Sequence, residues 1–276
     1  TRVAAMPPVK FDDIPKTAAE VLNDDYTVSG YAFKAKQKTS FDGAVITTSV
    51  DLFGKDAPTP AKLSWKFPKP LGVAGLCIDK LEMDKGGKFK LEASADKALH
   101  KIPDLKIEAK SDLVDPSKIV TGLTFTGVKN AQLKVETKPA SAKDVVAELT
   151  YSVCSPFTVG VKYNAGACDI GCRMMQGPLF GSILATGNMK IFTGHLFYKV
   201  NDKMKFACSG IYGGKADGTV TLGAAYDIAA ATKAKAKVSR DGVVCCSLKH
   251  DIAKGVTALL GGKYNTVKGD YSYGVS

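Results

Sequence analysis

The chain has no long hydrophobic run. Across its 276 residues no stretch approaches the roughly 20 apolar residues of a transmembrane helix. The longest uncharged run, Met174 to Met189, holds Gly177, Pro178, Gly181 and Gly187, which suit strands and turns. A helical membrane protein is therefore excluded. A membrane barrel is not, because its strands need only about 10 residues each. Blocks of basic residues are missing too. The formal net charge of +11 and a pI near 9.2 point to anionic partners. The lysines are nevertheless spread along the chain, mostly at alternate positions, whereas a nucleic-acid arm would cluster them. Nucleic acid is not expected as a specific partner.

Catalytic signatures are equally scarce. His100, His195 and His250 are the only histidines, and none has a spaced His or Cys partner that would make a metal site. Neither Gly213-Gly214 nor Gly261-Gly262 is followed by the Gly-Lys-Ser/Thr of a phosphate-binding loop. No Ser, His and Asp arrangement stands out from background. The expectation is a protein that is not an enzyme, with no cofactor and no metal. Cys77, Cys154, Cys168, Cys172, Cys208, Cys245 and Cys246 are odd in number and irregular in spacing. With no apolar leader segment ahead of them, synthesis in a reducing cytosol is expected. Cys168 and Cys172 would share one face of a strand, and with no second pair they read as structural. Cys245 and Cys246 would point to opposite faces.

One helical period is present. After an irregular tail, residues 1–10, the segment 11–25 places Ile14, Ala18, Val21 and Leu22 at i, i+4, i+7 and i+8, one apolar stripe. Asp12 or Asp13 could cap it, Pro15 fits a first turn, and Lys16 and Glu20 lie on a polar flank. Such a stripe is a packing surface, and the rest of the chain offers no other helix to receive it.

From Tyr26 the period changes to two. Phe33 and Ala35 alternate with Lys34 and Lys36, and Phe89 and Leu91 with Lys88 and Lys90. Leu105 and Ile107 alternate with Lys106, and Leu133 and Val135 with Lys134. Val161 and Tyr163 flank Lys162, and Ala234 and Ala236 alternate with Lys235 and Lys237. Each strand thus has one mildly apolar face and one charged face. Turn pairs separate them: Asp42-Gly43, Gly86-Gly87, Asp115-Pro116, Asn201-Asp202, Asp217-Gly218 and Asp241-Gly242. An antiparallel sheet joined neighbour to neighbour follows, and doubly wound folds are out. The apolar phase is rich in small and aromatic residues, which suits a lipid-facing wall around a wet lumen better than a thick core. Alternation by itself also fits a soluble barrel or sandwich.

Taken in order, several segments resemble the voltage-dependent anion channel family of mitochondrial porins. The helix ahead of an all-β chain is one. The run Phe197-Tyr198-Lys199-Val200-Asn201-Asp202-Lys203-Met204-Lys205 is similar to the family's hairpin around Lys-Val-Asn. Tyr226-Asp227-Ile228, leading to Ala236-Lys237-Val238-Ser239, is similar to its C-terminal signature, although Ala229 stands where an Asp is usual. The stretch Gly255-Val256-Thr257-Ala258-Leu259-Leu260 also looks familial. The segment Asp24-Asp25-Tyr26-Thr27 lacks the family's glycine-rich hinge.

The resemblance implies an all-β transmembrane barrel, residues 26–276, of about 19 strands, antiparallel apart from one parallel closing pair, with the helix inside the pore. It implies a voltage-gated, weakly anion-selective channel of the mitochondrial outer membrane for metabolites, nucleotides and small ions. The related protein-import barrel of that membrane stays open as an alternative, as do a bacterial porin and a soluble lipid carrier. Expected pore-lining residues for anion selectivity are Lys34, Lys36, Lys88, Lys90, Lys106, Lys134, Lys162, Lys205, Lys235 and Lys237. Lys16, Ala18, Glu20, Val21 and Leu22 are expected on the helix. The partners expected are phospholipid and sterol, transiting ATP, ADP and phosphate, and further copies or other outer-membrane proteins.

Overall fold

The computed structural model describes residues 8–40, 43–52, 61–97, 101–154 and 156–276. Asp42, His100 and most of the expected tail lie outside the described residues. The chain enters through a 3-10 turn at Phe11–Asp13, then α1 (Lys16–Leu22). Pro15 occupies the N-cap position and no side chain caps the helix, so the expected Asp cap is not used. A proline there ends the 3-10 turn and starts α1, so the expected 11–25 helix is two short pieces.

Nineteen strands follow. They are β1 (Gly30–Lys38), β2 (Val45–Leu52), β3 (Ala61–Phe67), β4 (Leu76–Asp84), β5 (Phe89–Ala95) and β6 (Leu105–Asp112). Next come β7 (Asp115–Phe125), β8 (Ala131–Lys138), β9 (Ser141–Cys154), β10 (Phe157–Asn164), β11 (Ala167–Gln176), β12 (Leu179–Thr186) and β13 (Ile191–Lys199). The last are β14 (Met204–Tyr212), β15 (Val220–Ala229), β16 (Thr232–Ser239), β17 (Val243–Ala253), β18 (Val256–Asn265) and β19 (Tyr271–Val275). Each strand pairs antiparallel with its sequence neighbours, and β1 also pairs with β19 in parallel, Gly30 opposite Gly274. The sheet is closed. Parallel closure is a matter of parity: with an odd strand number the first and last strands run the same way.

Turn chemistry sets most of the corners. Gly87, Gly218 and Gly242 each adopt positive φ, the conformation that favours glycine. Asp115-Pro116 differs from expectation. Asp112 stands opposite Asp115, so the reversal falls at Leu113 and Val114 and β7 begins at Asp115.

Register assigns the faces. Side chains directly opposite one another in a ladder share a face. Ala207 and Phe180 pack against α1, so their face is inward. Following the pairs round the barrel gives inward Lys162, Glu148, Lys134, Thr124 and Lys106 as one connected row. Lys36, Thr47, Ser64, Glu82, Lys90 and Asp112 form another.

Outside the irregular strand ends at Asp115–Lys118 and Ser141–Asp144, every Lys, Arg, Asp and Glu of the described strands falls on the inward phase. The outward phase is apolar and open: Phe33, Leu149, Ile183, Leu196 and Leu222 are all about half exposed or more. Aromatic residues collect at both ends of that face. Tyr163, Tyr212, Tyr264 and Tyr271 lie near the turns at one end, and Tyr151, Tyr198 and Tyr226 near the turns at the other. A continuous exposed apolar belt between two aromatic girdles is what a bilayer solvates and water does not.

Candidate functional site

The site is the lumen wall and the helix docked on it. Alone, α1 would not hold, because a seven-residue helix is too short to be stable in water. Docking supplies what propensity does not. Ile14, Ala18, Val21 and Leu22, the stripe expected from the sequence, are all buried, together with Phe11. Each fully buried large aliphatic side chain contributes about 1.5–3 kcal/mol relative to water. The wall is shaped for them by missing side chains. A Cβ at Gly160 would lie 2.9 Å from Ile14 Cδ1, and one at Gly223 would lie 2.7 Å from Leu22 Cδ2. Further along, Gly261 and Gly274 leave room for the backbone around Thr27.

Charge fixes the same segment at both ends. Lys162 Nζ reaches Asp12 Oδ1 at 2.8 Å and Glu148 Oε1 at 3.1 Å. At the other end, Lys235 Nζ donates to the carbonyl oxygens of Glu20 at 2.8 Å and Asp24 at 3.1 Å. Lys237 Nζ donates to the Leu22 carbonyl oxygen at 2.7 Å. The Glu20 and Leu22 carbonyls are among those a helix leaves without partners at its C-terminus, where the dipole also favours cations. Asp25 completes the clamp, with Lys249 at 3.2 Å and Lys235 at 3.3 Å. Burial pushes the Asp25 carboxyl up, but Lys249 and Lys235 outweigh it and hold it below its ordinary range. Tyr26 donates its phenol to the Val21 carbonyl oxygen at 3.1 Å, with Lys237 Nζ 4.5 Å from the ring centroid. Burial, assisted by Cys245 and Cys246, pushes the Tyr26 phenol up to about 12, so it stays a donor at neutral pH.

The ten expected lysines therefore divide. Lys162, Lys235 and Lys237 hold the N-terminal segment. Lys106 pairs with Glu108 at 2.6 Å and Lys134 with Glu136 at 3.0 Å, so their fields are partly neutralised. Lys90 faces the Glu82 row. Among the described residues, Lys34, Lys36 and Lys205 have inward positions and no ion-pair partner. Lys88 lies in the turn before β5, at the rim rather than on the wall. On the helix, Ala18, Val21 and Leu22 face the wall, while Lys16 and Glu20 are exposed, Lys16 lying 3.6 Å from Asp13.

Sequence reasoning counted Asp25 among the acidic residues of the N-terminal segment but did not single out Lys249 or the glycines of the wall. Alternation of Leu248 with Lys249 could have placed Lys249 inward; the glycines gave no signal of their own. Cys245 is buried and Cys246 exposed, on opposite faces, and all seven cysteines are free. Among the described residues no group of three His, Cys, Asp or Glu could hold a metal ion.

The chain is similar to solved bacterial porins. One is a triple mutant of Rhodopseudomonas blastica porin, at 12% identity and a TM-score of 0.47, covering 88% of this chain and 94% of that one. Another, described as "Asymmetric conductivity of engineered proteins", gives 12% identity and 0.48 with the same coverage. Likeness at this level bears on neither transport nor location. No curated protein sequence matches the chain. The family model for eukaryotic porins, in contrast, matches residues 7–274. With that match running almost end to end along a closed barrel, the chain belongs to the eukaryotic porin family and is a porin channel, not an enzyme.

Proposed function

We propose that this porin is a voltage-gated, weakly anion-selective channel of the mitochondrial outer membrane, passing metabolites, nucleotides and small ions. The observation that carries the reading is the segregation of charge. The chain has a formal net charge of +11, and the outward phase of its regular ladders carries none of it. The excess is left to the lumen and the rims, where Lys34, Lys36 and Lys205 have no ion-pair partner among the described residues. A positive lumen raises the local concentration of anions such as phosphate, ADP and ATP. Scattered point charges give breadth rather than one shaped pocket. Surrounding partners are phospholipid and sterol on the apolar belt, with further copies or other outer-membrane proteins as neighbours.

Gating needs charge that moves through the field. One elementary charge crossing about 100 mV changes the energy by about 2.3 kcal/mol, so two or three effective charges switch a population. The N-terminal segment carries Asp12, Asp13, Glu20, Asp24 and Asp25 against Lys16. Because it is clamped at both ends, closure is assigned to a joint rearrangement of wall and helix rather than helix exit. Planar-bilayer recording with voltage steps of both signs tests the reading. Conductance should fall at large voltage of either polarity. A conductance independent of voltage would remove the gating claim, and recovery of the tagged protein outside mitochondria would remove the location.

A further inference from the structure

Arg173, Ser182 and His195 stand on three neighbouring strands, opposite one another in register, so their side chains share one level of the inner face. Arg173 is only 8% exposed and Ser182 only 3%. Arg173 Nε, Ser182 Oγ and His195 Nδ1 are all buried without a hydrogen-bond partner among the described residues. Three buried polar atoms without partners at one place is an exceptional concentration, since buried polar groups are almost always paired. A buried guanidinium with no carboxylate bonded to it is costlier still. Asp13 bears on Arg173 electrostatically, but no hydrogen bond joins them, and its carboxylate lies 3.6 Å from Lys16. Neighbouring groups have other commitments: Ser152 and Thr158, next in the same row, bond each other at 3.2 Å.

We infer that Arg173, Ser182 and His195 form a site for one monovalent inorganic anion of the halide class, on the lumen wall beside the start of the N-terminal segment. The chemistry supplies three donors: a guanidinium N–H, a hydroxyl and, in the Nδ1–H tautomer, an imidazole N–H. Water accepts the same bonds but brings no negative charge to the guanidinium, which Asp13 reaches only at a distance. Asp13 limits the occupant's charge, because a polyanion beside that carboxylate meets repulsion that a single negative charge largely escapes. Phe11 and Ile14 stand over Gly171, two residues along β11 from Arg173, so the site lies at the foot of the docked segment. The anion is resident, and the site does not depend on the sign of the pore's selectivity.

Chloride relaxation tests this with the whole protein in detergent micelles. Quadrupolar broadening of the chloride resonance should contain a saturable component displaced by bromide. Arg173→Gln should abolish that component and Ser182→Ala should weaken it. Arg240→Gln, which changes the arginine that bonds the Gly218 carbonyl oxygen at a turn, should keep it. Broadening that never saturates, or a saturable component surviving in Arg173→Gln, would overturn the site. If Arg173→Gln fails to refold, bromide anomalous scattering from wild-type crystals decides. A peak within hydrogen-bond distance of Arg173 Nε and Ser182 Oγ supports the site, and water or empty density there overturns it.

Discussion

Lys237 donates to the Leu22 carbonyl oxygen at 2.7 Å, joining the last turn of the N-terminal helix to the wall of β16. The bond ends the helix and docks it in one step. Lys235 repeats the arrangement two residues away. Hydrogen bonds from a charged donor contribute about 1.5–3 kcal/mol, less where the lumen water competes. The double substitution Lys235→Gln, Lys237→Gln should accelerate amide exchange across Ala18–Leu22 by roughly tenfold or more, corresponding to about 1.4 kcal/mol. Exchange in the barrel strands should not change. Hydrogen-exchange mass spectrometry reads both.

Glycine geometry gives a second expectation. Gly223→Val places atoms where Leu22 packs, so α1 should be displaced and its exchange protection lost. Gly194 faces outward, with no atom within 4 Å of an added Cβ. Gly194→Val should be neutral or slightly stabilising, by up to about 1 kcal/mol, because a strand glycine is replaced by a β-former. Denaturant unfolding from lipid micelles, together with exchange, distinguishes the two.

How much of this was legible beforehand depends on the range of the interaction. The stripe Ile14, Ala18, Val21, Leu22 and the alternation around Lys34 or Lys106 are local, so periodicity found both the helix face and the strand faces. Alternation marks Lys235 and Lys237 as sharing one face of β16, yet their work as a helix cap depends on the end of α1 coming within reach of that strand, some 215 residues away in the chain. No local pattern encodes that. The turn at Leu113 and Val114 escaped for the opposite reason: two exposed apolar residues occupy the corner, and Asp115-Pro116 beside them carries the stronger turn signal.

The outer face should reject charge. Leu149→Lys and Leu196→Lys put an ammonium into lipid near the middle of β9 and β13, at a cost of about 2–4 kcal/mol. A lysine in place of Thr47, on the inward row, should cost no more than about 1 kcal/mol. Equilibrium unfolding from vesicles measures the difference, and equal costs on the two faces would contradict the face assignment.

Docking should be insensitive to mild acid. Burial raises the Asp25 carboxyl, but Lys249 and Lys235 bring it below 3.8 in the docked state. The released segment therefore binds more protons than the docked one at low pH. The contribution of Asp25 is complete above the ordinary carboxylate range and is lost as pH falls through the lowered docked value. Helix protection should hold from neutral pH down to the ordinary carboxylate range and then drop, and Asp25→Asn should remove the drop while weakening docking at neutral pH.

The reversal potential in a KCl gradient across a planar bilayer reads the charge of the lumen directly. The wild-type channel should prefer chloride. Joint replacement of Lys34, Lys36 and Lys205 by glutamate should move the reversal potential toward potassium. Replacement of Lys106 and Lys134, already paired with Glu108 and Glu136, should move it less per charge. A wild-type preference for potassium, or a reversal potential unmoved by replacing Lys34, Lys36 and Lys205, would contradict a lumen whose lysines set the passage of anions.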